Sequence, residues 1–202
     1  MKEIENKTIL GIDPGTNVLG YSIIKTQGNK IELIEMGVLR LGKIEDMNVR
    51  MKVLFESVSN IIEKYKPNEL SIEATFFGKN VQSMLKLGRA QGLCIAAAIN
   101  KGLDFFEYSP RKIKQSVTGN GASSKEQVAL MLQRLIGFEE IPKNLDETDA
   151  LAVAVCHSYQ NMARIVSSSS NKTSKNKASS IPKSRSKSSW SAFINDNPDR
   201  VN

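Results

Sequence analysis

Cysteine is scarce in this chain: Cys94 and Cys156 are the only two among 202 residues, and both sit inside apolar, helix-like runs. That excludes a disulfide framework and fits reduced, buried thiols in a cytoplasmic protein. No apolar run approaches the roughly 20 residues needed to cross a bilayer, so no membrane partner is expected. The N-terminal MKEIENKTIL is acidic and polar ahead of its short apolar run, unlike a secretory signal. Internal repeats are absent. Histidine is nearly so: His157 stands alone, two helical turns beyond Asp149, where a packing or surface role suits it better than a catalytic one.

What remains is ordinary globular material. A chain of 202 residues with 40% hydrophobic content supports one domain with a sizeable core, and not two full ones. Its net charge of +7 is unevenly placed. Residues 164–202 hold eight basic side chains and two acids, which leaves a net charge of only +1 on residues 1–163. The composition also changes there. The stretch IVSSSSNKTSKNKASSIPKSRSKSSWSAF is Ser/Lys-rich, lacks a period, and has too little apolar content to repay ordering entropy. Residues 1–163 are therefore expected to be the domain and 164–202 a disordered basic tail. The tail suits either weak attraction to a polyanion or a solubilising role. Trp190 and Phe193 offer a short docking motif within it, or are incidental.

The body alternates. Residues 8–13, 19–26 and 30–41 read as strands joined by short turns, and 48–65 carries apolar residues at the helical period. A strand over 69–74, a helix over 80–100 and a strand over 103–108 follow. Ser123 with Glu126 fits a capping box opening a helix to about Leu135, and 146–162 forms a last helix. The order β-β-β-α-β-α-β-α-α predicts an α/β fold, a mixed sheet with helices on its faces.

In such a sheet, ligand sites lie beyond the carboxyl ends of the parallel strands. Asp13 closes the first strand in ILGIDPGTNVLGYSII, and Glu73 closes LSIE, the first strand after a helix. If those strands are parallel neighbours, both carboxylates enter one crevice. The last helix opens LDETDALAVAVCH, where Asp146 and Asp149 are three apart and share a face. Carboxylates gathered this way repel and raise one another's pKa. Mg²⁺, with its preference for oxygen ligands, relieves the repulsion, and a pair of ions suits phosphodiester hydrolysis. Each acid also has a plainer explanation: Asp146 as a helix cap, Asp13 in turn chemistry before Pro14-Gly15, Glu73 as an ordinary strand end. Only their conjunction points to metal-dependent phosphoryl chemistry.

Four segments, GIDPGTNVLGY, IEATFFGKNVQSMLKLGRAQG, SPRKIKQSVTGNGASSKEQV and DETDALAVAVCH, together resemble the crossover junction endodeoxyribonuclease (RuvC) family, from about Ile9 to Tyr159. The resemblance implies an RNase H-like five-stranded sheet with helices on both faces, a homodimer, and Mg²⁺-dependent nicking of four-way (Holliday) DNA junctions in recombination and repair. Two Mg²⁺ ions per site are implied, with Mn²⁺ as an alternative. Asp13 then matches the family's first-strand aspartate, Glu73 the glutamate after the helix, and Asp146 and Asp149 the pair on the last helix. Phe76 falls where the family places an aromatic that stacks on unpaired bases, and Phe77 is a second candidate. A branch-migration motor is a further partner the family raises.

With so little net charge on the body, DNA affinity must come from local clusters. SPRKIKQ supplies Arg111, Lys112 and Lys114, and Lys125 follows the TGNGASS loop, whose Gly119 and Gly121 allow backbone N–H groups close to phosphates. On the other flank lie Lys79, Lys86 and Arg89. These are read as DNA contacts, with a solvated helix face as the alternative for the first group. The helix over 81–99 carries Val81, Met84, Leu85, Leu87, Gly88, Gly92 and Ala96, which suit either a dimer contact or the core of one subunit.

Two other readings are open. GIDPGTNVLGYSII also resembles the phosphate-binding hairpin of actin-like ATPases and sugar kinases. Those folds need a second, similar domain, for which residues 1–163 have no room, and they leave Glu73 and Asp149 unexplained. A catalytically idle junction- or RNA-binding relative is the second reading; four retained acids argue against it.

Overall fold

A computed structural model describes residues 6–75 and 80–170, with side chains as far as residue 163. Phe76, Phe77 and Lys79 lie outside the described residues, as do Trp190, Phe193 and the rest of the tail beyond residue 170. The chain divides into two units, Met1–Ser167 and Ser168–Asn202, and the sheet and the acidic site belong to the first.

Strands β1 (Lys7–Asp13), β2 (Val18–Gln27) and β3 (Lys30–Arg40) form an antiparallel meander. Helix α1 (Met47–Tyr65) then crosses over to β4 (Glu69–Glu73), which pairs parallel with β1. Helix α2 (Val81–Asn100) leads to β5 (Asp104–Tyr108), parallel to β4, completing a sheet of order β3-β2-β1-β4-β5. The remaining helices are α3 (Pro110–Thr118), α4 (Lys125–Ile136) and α5 (Asp146–Ser170).

Alternation along the strands separates two cores. Leu10 and Ile12 of β1, Leu19 and Ile23 of β2, and Leu70 and Ile72 of β4 pack with Leu54, Val58 and Ile62 of α1 and Ala90, Cys94 and Ala97 of α2. Ile9 and Ile24 turn the other way and join Ile113, Val117, Val128, Leu132 and the Leu151–Cys156 segment of α5. Each fully buried Leu, Ile or Val among them contributes about 1.5–3 kcal/mol. The period of two therefore sends Asp13, two and four residues after Gly11 and Ile9, to the α5 face, and Glu73 likewise. Both cysteines are free and buried.

Local chemistry sets the helix boundaries. The Asp46 carboxylate accepts from the N–H groups of Asn48 (2.7 Å) and Val49 (3.0 Å), capping α1. Three observations differ from the sequence expectation. Helix α3 is absent from the predicted element order, although its Ser109 cap, Pro110 in the first turn and Gly119 at φ +77° form a complete set of start and stop signals. The capping box of α4 is Ser124 with Gln127, one residue later than Ser123 with Glu126. Ser123 is unavailable because its hydroxyl meets Thr118 Oγ1 at 2.8 Å and the Asn120 carbonyl at 2.9 Å. Helix α5 runs to Ser170, eight residues beyond the expected end at 162, since extending a helix already nucleated on the core is inexpensive.

Candidate active site

Helix α5 reaches the acids through glycine. A Cβ on Gly20, the partner of Asp13 across the β1–β2 ladder, would lie 2.0 Å from the Asp146 carbonyl oxygen. One on Gly11 would lie 2.4 Å from that of Ala150. Only hydrogen at these positions lets the helix backbone rest on the sheet, where the Ser22 hydroxyl donates to the Ala150 carbonyl at 3.0 Å. The first turn of α5 carries Asp146, Glu147 and Asp149 at the positive end of the helix dipole, and it lands above the end of β1.

Carboxylate oxygens of Asp13, Asp146 and Asp149 consequently come within 4.8 Å of one another. Glu73, at the end of β4, adds its charge to the same pocket and acts on Asp13. Burial, with repulsion from Glu73, Asp149 and Asp146, pushes the Asp13 carboxyl up to about 8 against the pull of Lys125. Burial and Asp149 push Glu73 up to about 7, with Lys125 and Lys114 opposing. Asp149 is also raised, mainly by burial. The strand ends are held together by Gln91 of α2, whose amide donates to Glu107 Oε1 at 2.6 Å and to the Glu73 carbonyl at 3.4 Å.

One cation already sits among the acids. The Lys125 ammonium, at the first position of α4, pairs with Asp149 and lies 3.3 Å from Asp146 Oδ1. Burial pulls its pKa down, but the hydrogen bond to Asp149 and the surrounding carboxylates outweigh burial and raise it. Lys125 was read from the sequence as a DNA contact; its present partners are carboxylates, 21 and 24 residues away in the chain, and no local pattern foretells that. Lys114 of α3 joins the same charge field. Arg111 is exposed and packs its stem over Gly121, and Lys112, Lys86 and Arg89 are exposed on α3 and α2. His157 is fully buried, in keeping with a packing role.

The pocket tests well for a metal ion. Every donor is a carboxylate oxygen, three converge, burial and neighbouring charge raise the pKa values of Asp13, Asp149 and the adjacent Glu73, and an ammonium group stands where positive charge is needed. That donor set fits a hard divalent cation. Asp13, Asp146 and Asp149, with Glu73 beside them, are the residues that would hold it.

The strand order, the helices on both faces and the acids beyond the carboxyl ends of β1 and β4 define an α/β protein of the RNase H-like class. The family model described as crossover junction endodeoxyribonuclease RuvC matches residues 9–157. A relative of that name from Cytophaga hutchinsonii is 52% identical over 196 residues, spanning 97% of this chain and 88% of the relative. One from Bacteroides fragilis is 46% identical over 203 residues, spanning 100% and 99%. The solved structure of Thermus thermophilus RuvC in complex with Holliday junction substrate shares 29% identity at a TM-score of 0.74, over 78% of this chain and 96% of that one. The chain belongs to the RuvC crossover junction endodeoxyribonuclease family.

Proposed function

We propose that the protein is a Holliday junction resolvase, a Mg²⁺-dependent endonuclease that hydrolyses one phosphodiester bond in each of two symmetric strands of a four-way DNA junction during recombination and repair. The reading rests above all on the convergence of Asp13, Asp146 and Asp149, joined by the charge of Glu73, in a member of this family. Mg²⁺ bound there would supply Lewis acidity toward water and the phosphate oxygens, with two ions per site on the family's pattern. Asp13 and Glu73 would supply ligand oxygens from the rigid sheet, and Asp146 and Asp149 from the end of α5. Lys125 and Lys114 hold down the pocket's negative charge so that a phosphodiester can approach.

Substrate contacts follow the same geometry. The α3–α4 segment presents Arg111, Lys112 and Lys114 to a DNA backbone, with Lys86 and Arg89 of α2 on the opposite flank; for Phe76 or Phe77, stacking on unpaired bases rests on the family resemblance alone. Two matched sites on a two-fold junction call for a C₂ dimer. The outer face of α2 suits that contact: Val81, Leu85 and Ile99 are each more than half exposed, with Gly88, Gly92 and Ala96 open between them. No helix among the described residues is long and apolar enough to cross a membrane, and we place the protein in the cytoplasm. Residues beyond the domain form a basic tail, and a branch-migration motor is the partner that would deliver the junction.

The test is a nicking assay on synthetic four-way junctions with strand mapping, with and without Mg²⁺, for the wild-type protein and Asp13→Asn. Paired nicks at symmetric positions, lost without the metal and in the variant, support the proposal. Junction binding without nicking by the wild-type protein would assign it to the idle class instead.

A further inference from the structure

The described residues hold a second buried charged cluster that plays no part in the chemistry above. Glu69, the first residue of β4, is 8% exposed, and His157 of α5 is completely buried. The imidazole Nε2 lies 2.8 Å from Glu69 Oε2, and because an ionised carboxylate can only accept, Nε2 is the donor; the Asn161 amide donates to the same oxygen at 2.9 Å. Lys7 of β1 pairs with the other oxygen. With Nε2 protonated, Nδ1 accepts the Tyr108 hydroxyl at 2.7 Å, and the ring stacks on Phe106 with centroids 4.5 Å apart. One imidazole thus ties together α5, β4 and β5, and through Glu69 it also ties β1.

Stability explains such a cluster poorly, because buried ion pairs are often replaceable by apolar groups at no loss. Registry explains it better. The face of α5 against the sheet is smooth where it meets Gly11 and Gly20, with Ala150 and Ala154 as its side chains. Small apolar contacts of this kind resist sliding little; the Ser22 hydroxyl on the Ala150 carbonyl gives one directional bond there, and the His157 cluster adds side-chain hydrogen bonds to both β4 and β5. The spacings agree. From Asp149 to His157 is eight residues of helix, about 12 Å at 1.5 Å each. From Glu73 back to Glu69 is four residues of strand, about 13 Å at 3.3 Å each. Glu73–Asp149 and Glu69–His157 are therefore two rungs of one ladder between β4 and α5, which run in opposite directions. Tyr108 lies opposite Glu73 in the β4–β5 register, and its carbonyl accepts the Ala74 N–H at 2.9 Å.

We propose that His157, fixed by Tyr108 and Glu69, is a positioning residue that sets how far α5 lies along β4, and thereby holds Asp146 and Asp149 in register with Asp13 and Glu73. The inference rests on the reading of those four acids as a metal site. Its test is calorimetric titration of the full chain with Mg²⁺ alone, comparing wild type, Tyr108→Phe and His157→Gln. Val58→Ala, in the core on the opposite face of the sheet, serves as a control for general destabilisation. Tyr108→Phe and His157→Gln are expected to weaken Mg²⁺ binding about tenfold, a typical loss when the support of a metal site is removed. In the nicking assay the Mg²⁺ concentration for half-maximal rate should rise in parallel, with junction affinity in Ca²⁺ unchanged. Val58→Ala should lower the melting temperature and leave Mg²⁺ affinity alone. Equal Mg²⁺ affinity in Tyr108→Phe, His157→Gln and Val58→Ala would overturn the proposal and reduce the cluster to core packing. If His157→Gln does not fold, Tyr108→Phe decides the matter. A wild-type protein that binds Mg²⁺ without nicking junctions would defeat the proposed function and leave the calorimetric comparison intact.

Discussion

Glu69 and Glu73 stand at the two ends of one five-residue strand, face the same helix, and are driven in opposite directions. Burial alone would raise both. At Glu69, hydrogen bonds from His157 and Lys7 overcome it and hold the carboxyl at about 2. At Glu73, the nearest strong influence after burial is another carboxylate, Asp149, and the value climbs to about 7. The partners set the direction of each shift. One end of the ladder is satisfied by the protein itself, whereas the other, even with Lys125 present, still wants positive charge. An unsatisfied cluster that the rest of the fold supports is the mark of a binding site.

The largest expected break in this contrast is Asp13→Asn. Nicking should fall by about two orders of magnitude or more, since metal-based charge stabilisation is worth several kcal/mol. The metal-free variant should nevertheless melt about 2–4 °C higher than wild type, the equivalent of roughly 1 kcal/mol of relieved repulsion. Scanning calorimetry without Mg²⁺ checks the second half; a lower melting temperature would contradict it.

Glu69→Ala attacks the satisfied end. It strands His157 and Lys7 without their acid and should cost about 3 kcal/mol, or roughly 6–12 °C, by thermal melting.

The pH dependence separates the two ends. Asp13 and Glu73 have folded pKa values above their ordinary ones, so their penalty is absent below about pH 4. It grows as pH rises through about 7 for Glu73 and about 8 for Asp13. Metal-free protein should therefore lose stability between about pH 4 and pH 8 and level off above that, and Mg²⁺ should flatten the curve. Mg²⁺ uptake near pH 7 should also release protons, visible as a buffer-dependent calorimetric enthalpy. Glu69 behaves in the opposite sense: its contribution is present above its ordinary pKa and is lost as pH falls toward about 2.

Two smaller effects sharpen the comparison. Lys125→Met removes the resident cation, so Mg²⁺ alone should bind about three- to tenfold more tightly, up to roughly 1.4 kcal/mol. Lys114→Ala should flatten the log–log salt dependence of junction binding, measured in Ca²⁺, by about 0.9. An unchanged slope would remove Lys114 from the DNA contacts.

How much of this could be read in the chain beforehand follows from the range of each interaction. Asp13 and Glu73 were legible because alternation and strand ends are local, and the parallel β1–β4 pairing then brings them together. Asp146 and Asp149 were legible from helical spacing. Helix α3 has local caps too, but its nine residues hold three cations and only two buried apolar side chains, Ile113 and Val117, too few to establish a helical period. The Lys125–Asp149 and Glu69–His157 pairs span 24 and 88 residues, and no periodicity encodes such meetings. Gly11 and Gly20 were visible as letters, but their purpose depends on a helix that starts more than a hundred residues later.

Those two glycines carry a practical corollary. A single methyl group at position 20 would act as a wedge under the first turn of α5, prising two carboxylates away from the other two while removing no ionisable side chain. The enzyme can thus be disarmed from beneath, and a Gly20→Ala protein that still grips its DNA would carry the same net charge as the wild type.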